Sequence, residues 1–418
     1  MINISKLNLY DEEAAINHVK SLAFTRNAAT EGETKALNYI RRELDKKNIE
    51  SNVESFEWSK SLRKMQKLIF LWIFAFILAN EILLLYPNLT WLIIPLDGIF
   101  FLVLILGVKN IFDYSKKVFI GKRKESRNII ATIRAKDLYP KRPVIFFSAH
   151  YDSISHNFPS KITKVLLLSA VFLLLSYILL NLVLSIWSII VLFTTLQIEV
   201  IYLMIRTISL TIGGILLTEI FLTFFMKTSN ESVGSVDNAS GVAILLELAK
   251  LIKNNPLEKI DVIFLWCGAE EMGLWGSKQY VSKHFEEFDR DYDLNKSYNI
   301  NIDMVGTYIG LVDETGLIKK KKINKNLNDV LKASDKQNLI PSEKSKLSFG
   351  SGSDHLVFRA FTQKKEKKGF QVTCFLSKKD TKYIHSRKDT LDLCSNENLN
   401  GCIDICYNAT KTLDLRVE

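Results

Sequence analysis

Two stretches of the chain are apolar almost without interruption, and the rest alternates hydrophobic and polar positions as a folded domain does. The first stretch runs from Leu68 to Val108, with Pro87-Asn88 near its middle reading as a turn between two spans of roughly 20 residues each, the length that crosses a bilayer as helix. The second runs from Val165 to Met226 and carries only Glu199, Arg206 and Glu219 as charges, enough for two generous spans or three tight ones. Outside these blocks, GETKALNYIRRELDKKNI places apolar residues at helical spacing and SNVESFEW alternates as a strand, so the first 58 residues read as two helices and a strand. RNIIATI, RPVIFFSAHYD, KIDVIFLWCGAEE, YNINIDMVG and GFQVTCFLS read as further strands, with NASGVAILLELAKLI as a helix among them. Strands that are apolar nearly throughout and alternate with helices predict an α/β fold, a mostly parallel sheet flanked by helices.

Both ends of each apolar block lead into this one domain, so each block crosses an even number of times. Two transmembrane helical hairpins follow, about four transmembrane helices in all, with an interfacial or re-entrant middle of the second block expected around Phe193 to Arg206. The expected organisation is residues 1–66, 109–163 and 227–418 as one α/β domain, interrupted by hairpins at 67–108 and 164–226. Basic residues gather on the domain side of the spans (Lys60, Arg63, Lys64, Lys67, Lys109, Lys116, Lys117, Lys161, Lys164, Lys227) and the Pro87 turn has none, which predicts a cytoplasmic domain. Glu81 and Asp97 lie inside the first block; Glu81 is expected near the far interface, with a polar contact from these carboxylates to the second block, through Arg206, as the alternative. The N-terminus lacks the apolar core of a signal peptide.

Composition adds two constraints. A mean hydropathy of +0.09 in a chain of 418 residues excludes a disordered or collagen-like chain, and the apolar blocks account for it. The five cysteines (Cys267, Cys374, Cys394, Cys402, Cys406) are odd in number with no CxxC pair, which excludes a small disulfide scaffold and fits buried thiols in a reducing compartment. The net charge of +10 comes with no aromatic-and-basic motif, so nucleic acid is not an expected partner. The runs Lys319 to Lys322 and Lys364 to Lys368 read as solvated faces or as contacts with anionic lipid headgroups. His18, His156 and His284 have no partners in motif and read as surface residues.

The chemistry concentrates in five short motifs: SAHYDS (His150, Asp152), SVDNASG (Asp237), WCGAEEMG (Glu270, Glu271), NIDMVG (Asp303) and YIHSRKDT (His385). Each puts a metal-type ligand at the end of an expected strand or in the loop after it, where groups of an open α/β sheet converge. Two imidazoles and three carboxylates form a mixed nitrogen and oxygen set suited to zinc, and sufficient for two ions if one carboxylate bridges.

In order and in wording, HYDS, VDNASGVA, GAEEMGLWGS, IDMVG, GSDHLVF and IHSRKDT resemble the co-catalytic dizinc aminopeptidases, whose superfamily includes glutamate carboxypeptidases and glutaminyl cyclases. His150 and Asp237 lie 87 positions apart, but the second apolar block takes up 62 of these and leaves 25, close to the family's spacing. The resemblance implies two Zn2+ ions, with Asp237 bridging, His150 and Asp303 completing one site, and Glu271 and His385 the other. It also implies Glu270 as general base, Asp152 orienting the His150 ring, and Asp354 and His355 beside the substrate pocket, where the family commonly has Pro in place of Val357. Asp389 reads at least as well as a turn or cap residue as it does as a support for the ligand residues. The implied activity is a membrane-bound metallopeptidase that removes N-terminal residues from peptides, with membrane lipids as its other partner. A cyclase-like transferase and a non-catalytic receptor or scaffold on the same fold are the alternatives; a transporter is disfavoured by the small number of spans.

Overall fold

The computed structural model describes residues 11–111, 113–194, 199–315, 321–322, 324–341, 345–346, 352–364 and 369–417. The chain divides into two compact units, one formed by residues 1–60, 114–155 and 229–418, the other by 61–113 and 156–228.

The larger unit is an α/β layer structure. Helices α1 (Ala14–Leu22) and α2 (Glu31–Asp45) precede strand β1 (Ser51–Ser59), as the periodicity predicts. Thr30 caps α2 by accepting from the Glu33 N–H, and Glu33 reaches back to the Ala29 N–H at 2.7 Å, so two orphan donors at the helix start are satisfied. Strands β2 (Arg123–Ile133), β3 (Val144–His150), β4 (Asp261–Cys267), β5 (Tyr298–Ile302) and β6 (Gln371–Phe375) join β1 in a six-stranded sheet of order β1-β2-β4-β3-β5-β6. The four strands β4, β3, β5 and β6 are mutually parallel, while β1 and β2 run antiparallel at one edge.

Alternation fills both faces. Ile145, Phe147 and Ala149 of β3 enter one core with Val262, Phe264 and Trp266 of β4, against α1, α2, α7 (Ser240–Asn254) and α11 (Asn396–Leu415). Val144 and Phe146 point the other way, towards α8 (Trp275–Asp291) and α10 (His355–Lys364). A sheet covered on both faces needs strands that are apolar throughout, as these are. The parallel strands bring the carboxyl ends of β3, β4, β5 and β6 to one end of the sheet.

The smaller unit consists of α3 (Ser61–Leu85), a 3-10 turn (Pro87–Leu92), α4 (Ile93–Ile111), α5 (Ser160–Phe193) and α6 (Glu199–Phe224). Four segments, Ser61–Leu85, Pro87–Gly107, Val165–Phe193 and Val200–Phe224, are long and apolar enough to cross a membrane. Its extent differs from the expected hairpins by a few residues at each end. Helix α6 already includes Glu199 to Arg206, so most of the stretch expected to be re-entrant is helical; residues 195–198 lie outside the described residues.

Polar side chains link the helices inside this unit. Tyr177 of α5 donates to Glu81 of α3 at 2.8 Å, Ser169 to Glu219 at 2.8 Å, and Ser209 to Asn181 at 2.5 Å. Glu81 is thus partnered between the two blocks, and its partner is Tyr177. Arg206 instead donates to the carbonyls of Leu84 and Leu85, at 2.5 and 3.1 Å. At one end of the unit, Arg63 donates to the Met226 carbonyl at 2.7 Å and Asn157 to the Phe225 carbonyl at 3.0 Å; at another, Ser188 donates to the Pro87 carbonyl at 3.1 Å.

Among the larger unit's buried acids, Glu33 generates a pH prediction. Burial raises its pKa to about 7, against the opposing hydrogen bonds from Ser126 and the Ala29 N–H. With an unfolded value of 4.5, the folded chain holds a proton between these limits that the unfolded chain has released, so stability falls as pH rises through this window. Thermal unfolding between pH 4.5 and 7 is expected to show the wild type losing stability relative to Glu33→Gln; a difference independent of pH would contradict the assignment.

Candidate functional site

Each motif residue reaches the carboxyl end of the sheet by a short, well-anchored route. His150 is the last residue of β3, and Asp303 follows β5 with its N–H bonded to the Phe375 carbonyl at 3.0 Å. Glu270 and Glu271 lie in the turn after β4, where the Glu270 carbonyl accepts from Gly273 and Leu274 at 2.8 and 2.7 Å. Gly273 sits at φ +119°, a conformation open to glycine and strained for other residues. Asp237 precedes α7 in a turn stitched to β5: the Asn238 amide donates to the Ile302 carbonyl at 2.8 Å and accepts from Gly241 and Met304 at 2.9 and 3.2 Å. The Asp237-Asn238 peptide bond is cis. His385 lies in the loop beyond β6.

The side chains meet in two overlapping groups. His150 Nε2 is 3.1 Å from Asp237 Oδ1, 3.4 Å from Asp303 Oδ1 and 4.0 Å from Glu270 Oε2. His385 Nε2 is 3.1 Å from Asp237 Oδ2 and 3.1 Å from Glu271 Oε1. Asp237 thus offers one oxygen to each imidazole. The donor atoms of His150, Asp237 and Asp303, and those of Asp237, Glu271 and His385, lie close enough to hold a metal ion each, as do His150, Glu270 and Glu271. His150 is buried, its side chain 2% exposed, whereas His385 is 26% exposed, so solvent reaches the site from the His385 side.

The electrostatics are those of a cation site. Burial works against a charged His150, yet the carboxylates around it, Glu270 ahead of Asp152, Asp237 and Asp303, raise its pKa well above the ordinary imidazole value. His385 is raised likewise, burial being outweighed by Glu271 and Asp237. Burial pushes Glu271 up to about 7 and Glu270 well above the carboxylate range, with neighbouring carboxylates adding to both. Asp237 alone is lowered, because the two imidazoles outweigh its burial. Four carboxyl groups and two imidazoles make a mixed set of oxygen and nitrogen donors that suits zinc. The residues present therefore fit a bound metal.

Several contacts differ from what the sequence predicts or add to it. Asp152 does not hold the His150 ring through its carboxylate, which lies 3.7 Å from Nδ1. The Nδ1–H donates instead to the Asp152 backbone carbonyl at 3.0 Å, leaving Nε2 to face the acids. The Asp152 carboxylate accepts the N–H groups of Glu270 and Glu271, at 3.0 and 3.2 Å, and so positions the acidic pair. Asp389, for which a turn or cap and a supporting role beside the ligands are both open in the sequence, accepts the N–H groups of Val236 and Asp237 at 2.7 and 3.2 Å and so supports the backbone of a ligand residue. Asp354 and His355 stand fully buried at the start of α10, where Asp354 adds to the field that raises Glu270; Val357 packs in the core against Phe146's neighbours. His18 is no free surface residue: it meets Tyr39 and Glu247, at 2.7 and 3.1 Å.

A mostly parallel α/β sheet with imidazoles and carboxylates converging beyond its strand ends defines the class, an α/β protein with a candidate metal site at the end of its sheet. The comparisons narrow that class. Residues 223–410 match the family model described as Peptidase family M28, which bears out the resemblance read from the motifs and takes in every site residue except His150 and Asp152. Aminopeptidase YwaD of Bacillus subtilis is 38% identical over 89 residues, 21% of this chain and 18% of its own. A probable lipoprotein aminopeptidase, LpqL of Mycobacterium tuberculosis, is 40% identical over 77 residues, 18% of this chain and 15% of its own. The chain thus spans about a fifth or less of the length of these relatives. Among solved structures, an aminopeptidase from Aneurinibacillus sp. strain AM-1 aligns with a TM-score of 0.53 at 16% identity, covering 96% of this chain and 93% of that one. A glutaminyl cyclase from an Acidobacteriales bacterium aligns with 0.52 at 13% identity, over 97% and 96%. At such identities these two show the fold alone.

Proposed function

We propose that the chain is a membrane-bound zinc metallopeptidase of the aminopeptidase type, hydrolysing the N-terminal residue from peptides. The observation that carries this reading is Asp237, whose two oxygens each meet a different imidazole at 3.1 Å, giving two half-sites that share one carboxylate. His150 and Asp303 would hold one zinc ion, Glu271 and His385 the other, with Asp237 between them.

Bound zinc supplies Lewis acidity, polarising the scissile carbonyl and making water a nucleophile near neutral pH. The rest falls to the chain. Glu270 is the acid not committed to an imidazole at short range, being 4.0 Å from His150 Nε2, which suits a group that takes a proton from water and returns it to the leaving amine. Asp152 fixes Glu270 and Glu271 through their backbone N–H groups, so the base and its neighbour keep one mutual placement. Burial of His150 against the partial exposure of His385 leaves the His385 side open to an incoming peptide terminus. The relatives' names, aminopeptidases among them, support removal of single N-terminal residues.

The same reading places the larger unit on the cytoplasmic side of four crossings. It is supported by the four apolar helices, by the basic flanks, and by the hydrogen bonds that draw Arg63, Asn157 and Met226 together at one end of the apolar unit.

Purified full-length chain is expected to release free N-terminal residues from short peptides, to lose that activity to a chelator, and to lose it by about 100-fold or more in Glu270→Gln with metal still bound. Full activity in Glu270→Gln would remove the assigned base, and release of pyroglutamate in place of free residues would replace the peptidase by a cyclase-like transferase. For topology, an impermeant thiol reagent applied to intact cells is expected to label Leu89→Cys and to spare Lys136→Cys; the reverse pattern would invert the orientation.

A further inference from the structure

Arg26 is fully buried, 0% exposed, in a segment that looks like surface by composition. A buried guanidinium is costly unless each of its donors finds an acceptor. Here the acceptors are backbone carbonyls from three separate segments. Nε donates to Tyr151 at 2.9 Å; Nη1 donates to Val233 at 2.6 Å, to Phe24 at 3.0 Å and to Leu22; Nη2 donates to Gly234 at 2.9 Å. The backbone of Arg26 joins in, its N–H donating to Ser153 Oγ at 3.0 Å and its carbonyl accepting from the Ser153 N–H at 3.2 Å. Ser153 Oγ in turn donates to the Ser232 carbonyl at 3.3 Å.

Tyr151 stands between His150 and Asp152, and Val233-Gly234 leads into Asp237. We infer that Arg26 is a positioning residue for the metal centre: a single guanidinium fork that clamps the His150–Asp152 loop to the 232–237 loop and so sets the separation of His150 and the shared Asp237 before any metal arrives. The inference rests on the two-site metal reading above.

Two features single out arginine at this place. Its planar fork reaches several carbonyls in fixed directions, which the point charge of a lysine cannot do. It also lies in the field of Asp389, Asp152, Asp237 and Glu271, so that despite a burial that lowers its pKa to about 10 it stays charged at neutral pH, facing the acids without bonding to them. The ligand oxygens of Asp237 and Glu271 are thereby not taken up by the guanidinium. Gly234 completes the clamp. At φ +57° it favours glycine, and a side-chain carbon there would come within 2.6 Å of Ser153 Cβ and 2.9 Å of Arg26 Nη2.

The test compares wild type, Arg26→Lys and Arg26→Met in thermal unfolding with zinc and with chelator, alongside a zinc titration. A residue important only to folding would lower both melting temperatures together and leave the zinc-induced increment unchanged. The clamp predicts that the increment shrinks in both variants and that zinc binds about 10- to 100-fold more weakly, the range typical for groups that orient metal ligands. An unchanged increment and affinity would overturn the inference, whereas wild type that binds no zinc would overturn the metal reading itself. Should neither variant fold, hydrogen exchange on metal-free wild type decides. The Ser153 amide and those of 234–239 are expected to be protected already without zinc; free exchange that becomes protection only on zinc addition would overturn the clamp.

Discussion

Like charges confined in a buried space are the constraint around which the rest of the larger unit is arranged. Asp237, Glu270, Glu271 and Asp303 converge on two imidazoles, and left alone they would repel one another and draw in water or protons. The chain holds them by gripping backbone rather than side chain. Asp152 takes the N–H groups of Glu270 and Glu271, Asp389 those of Val236 and Asp237, and Arg26 the carbonyls of Tyr151, Val233 and Gly234. The ligand atoms themselves are left facing one another, which is what a metal ion needs and what an isolated protein would otherwise avoid.

The sheet makes this possible at modest cost. Its four parallel strands end side by side, so that His150 at the end of β3, Glu270 and Glu271 just after β4, and Asp303 just after β5 meet without long excursions. The apolar segments enter between β1 and β2 and in the stretch after His150, in connections and not in strands, and the register of β1 with β2 runs unbroken from Ser51 with Ala131 to Ser59 with Arg123. Insertion into loops disturbs a packed core least, since loops tolerate added length with little entropic penalty.

Much of this was legible from sequence because it depends on local period and on motif order. Helices α1 and α2, strand β1 and the apolar helices follow from spacing alone, and the ligand residues follow from five motifs that share one chemical explanation. What stayed hidden depends on partners far along the chain. Nothing local in RNIIATI indicates that β2 runs antiparallel to β4. AFTRNAATEG has the look of an exposed loop, and Arg26 is buried only because Tyr151 and Gly234, more than a hundred positions away, fold over it. Asp152 was read as the partner of its near neighbour His150, when its carboxylate serves two N–H groups across the site. For Glu81 the hidden partner was Tyr177, on the other apolar block.

The central claim is that two half-sites share Asp237. Anomalous diffraction at the zinc edge on crystals of the zinc-loaded full chain tests it most directly. Two peaks are expected on either side of the Asp237 carboxylate, one beside His150 and Asp303 and the other beside Glu271 and His385. A single peak, or peaks that leave Asp237 uninvolved, would contradict the account.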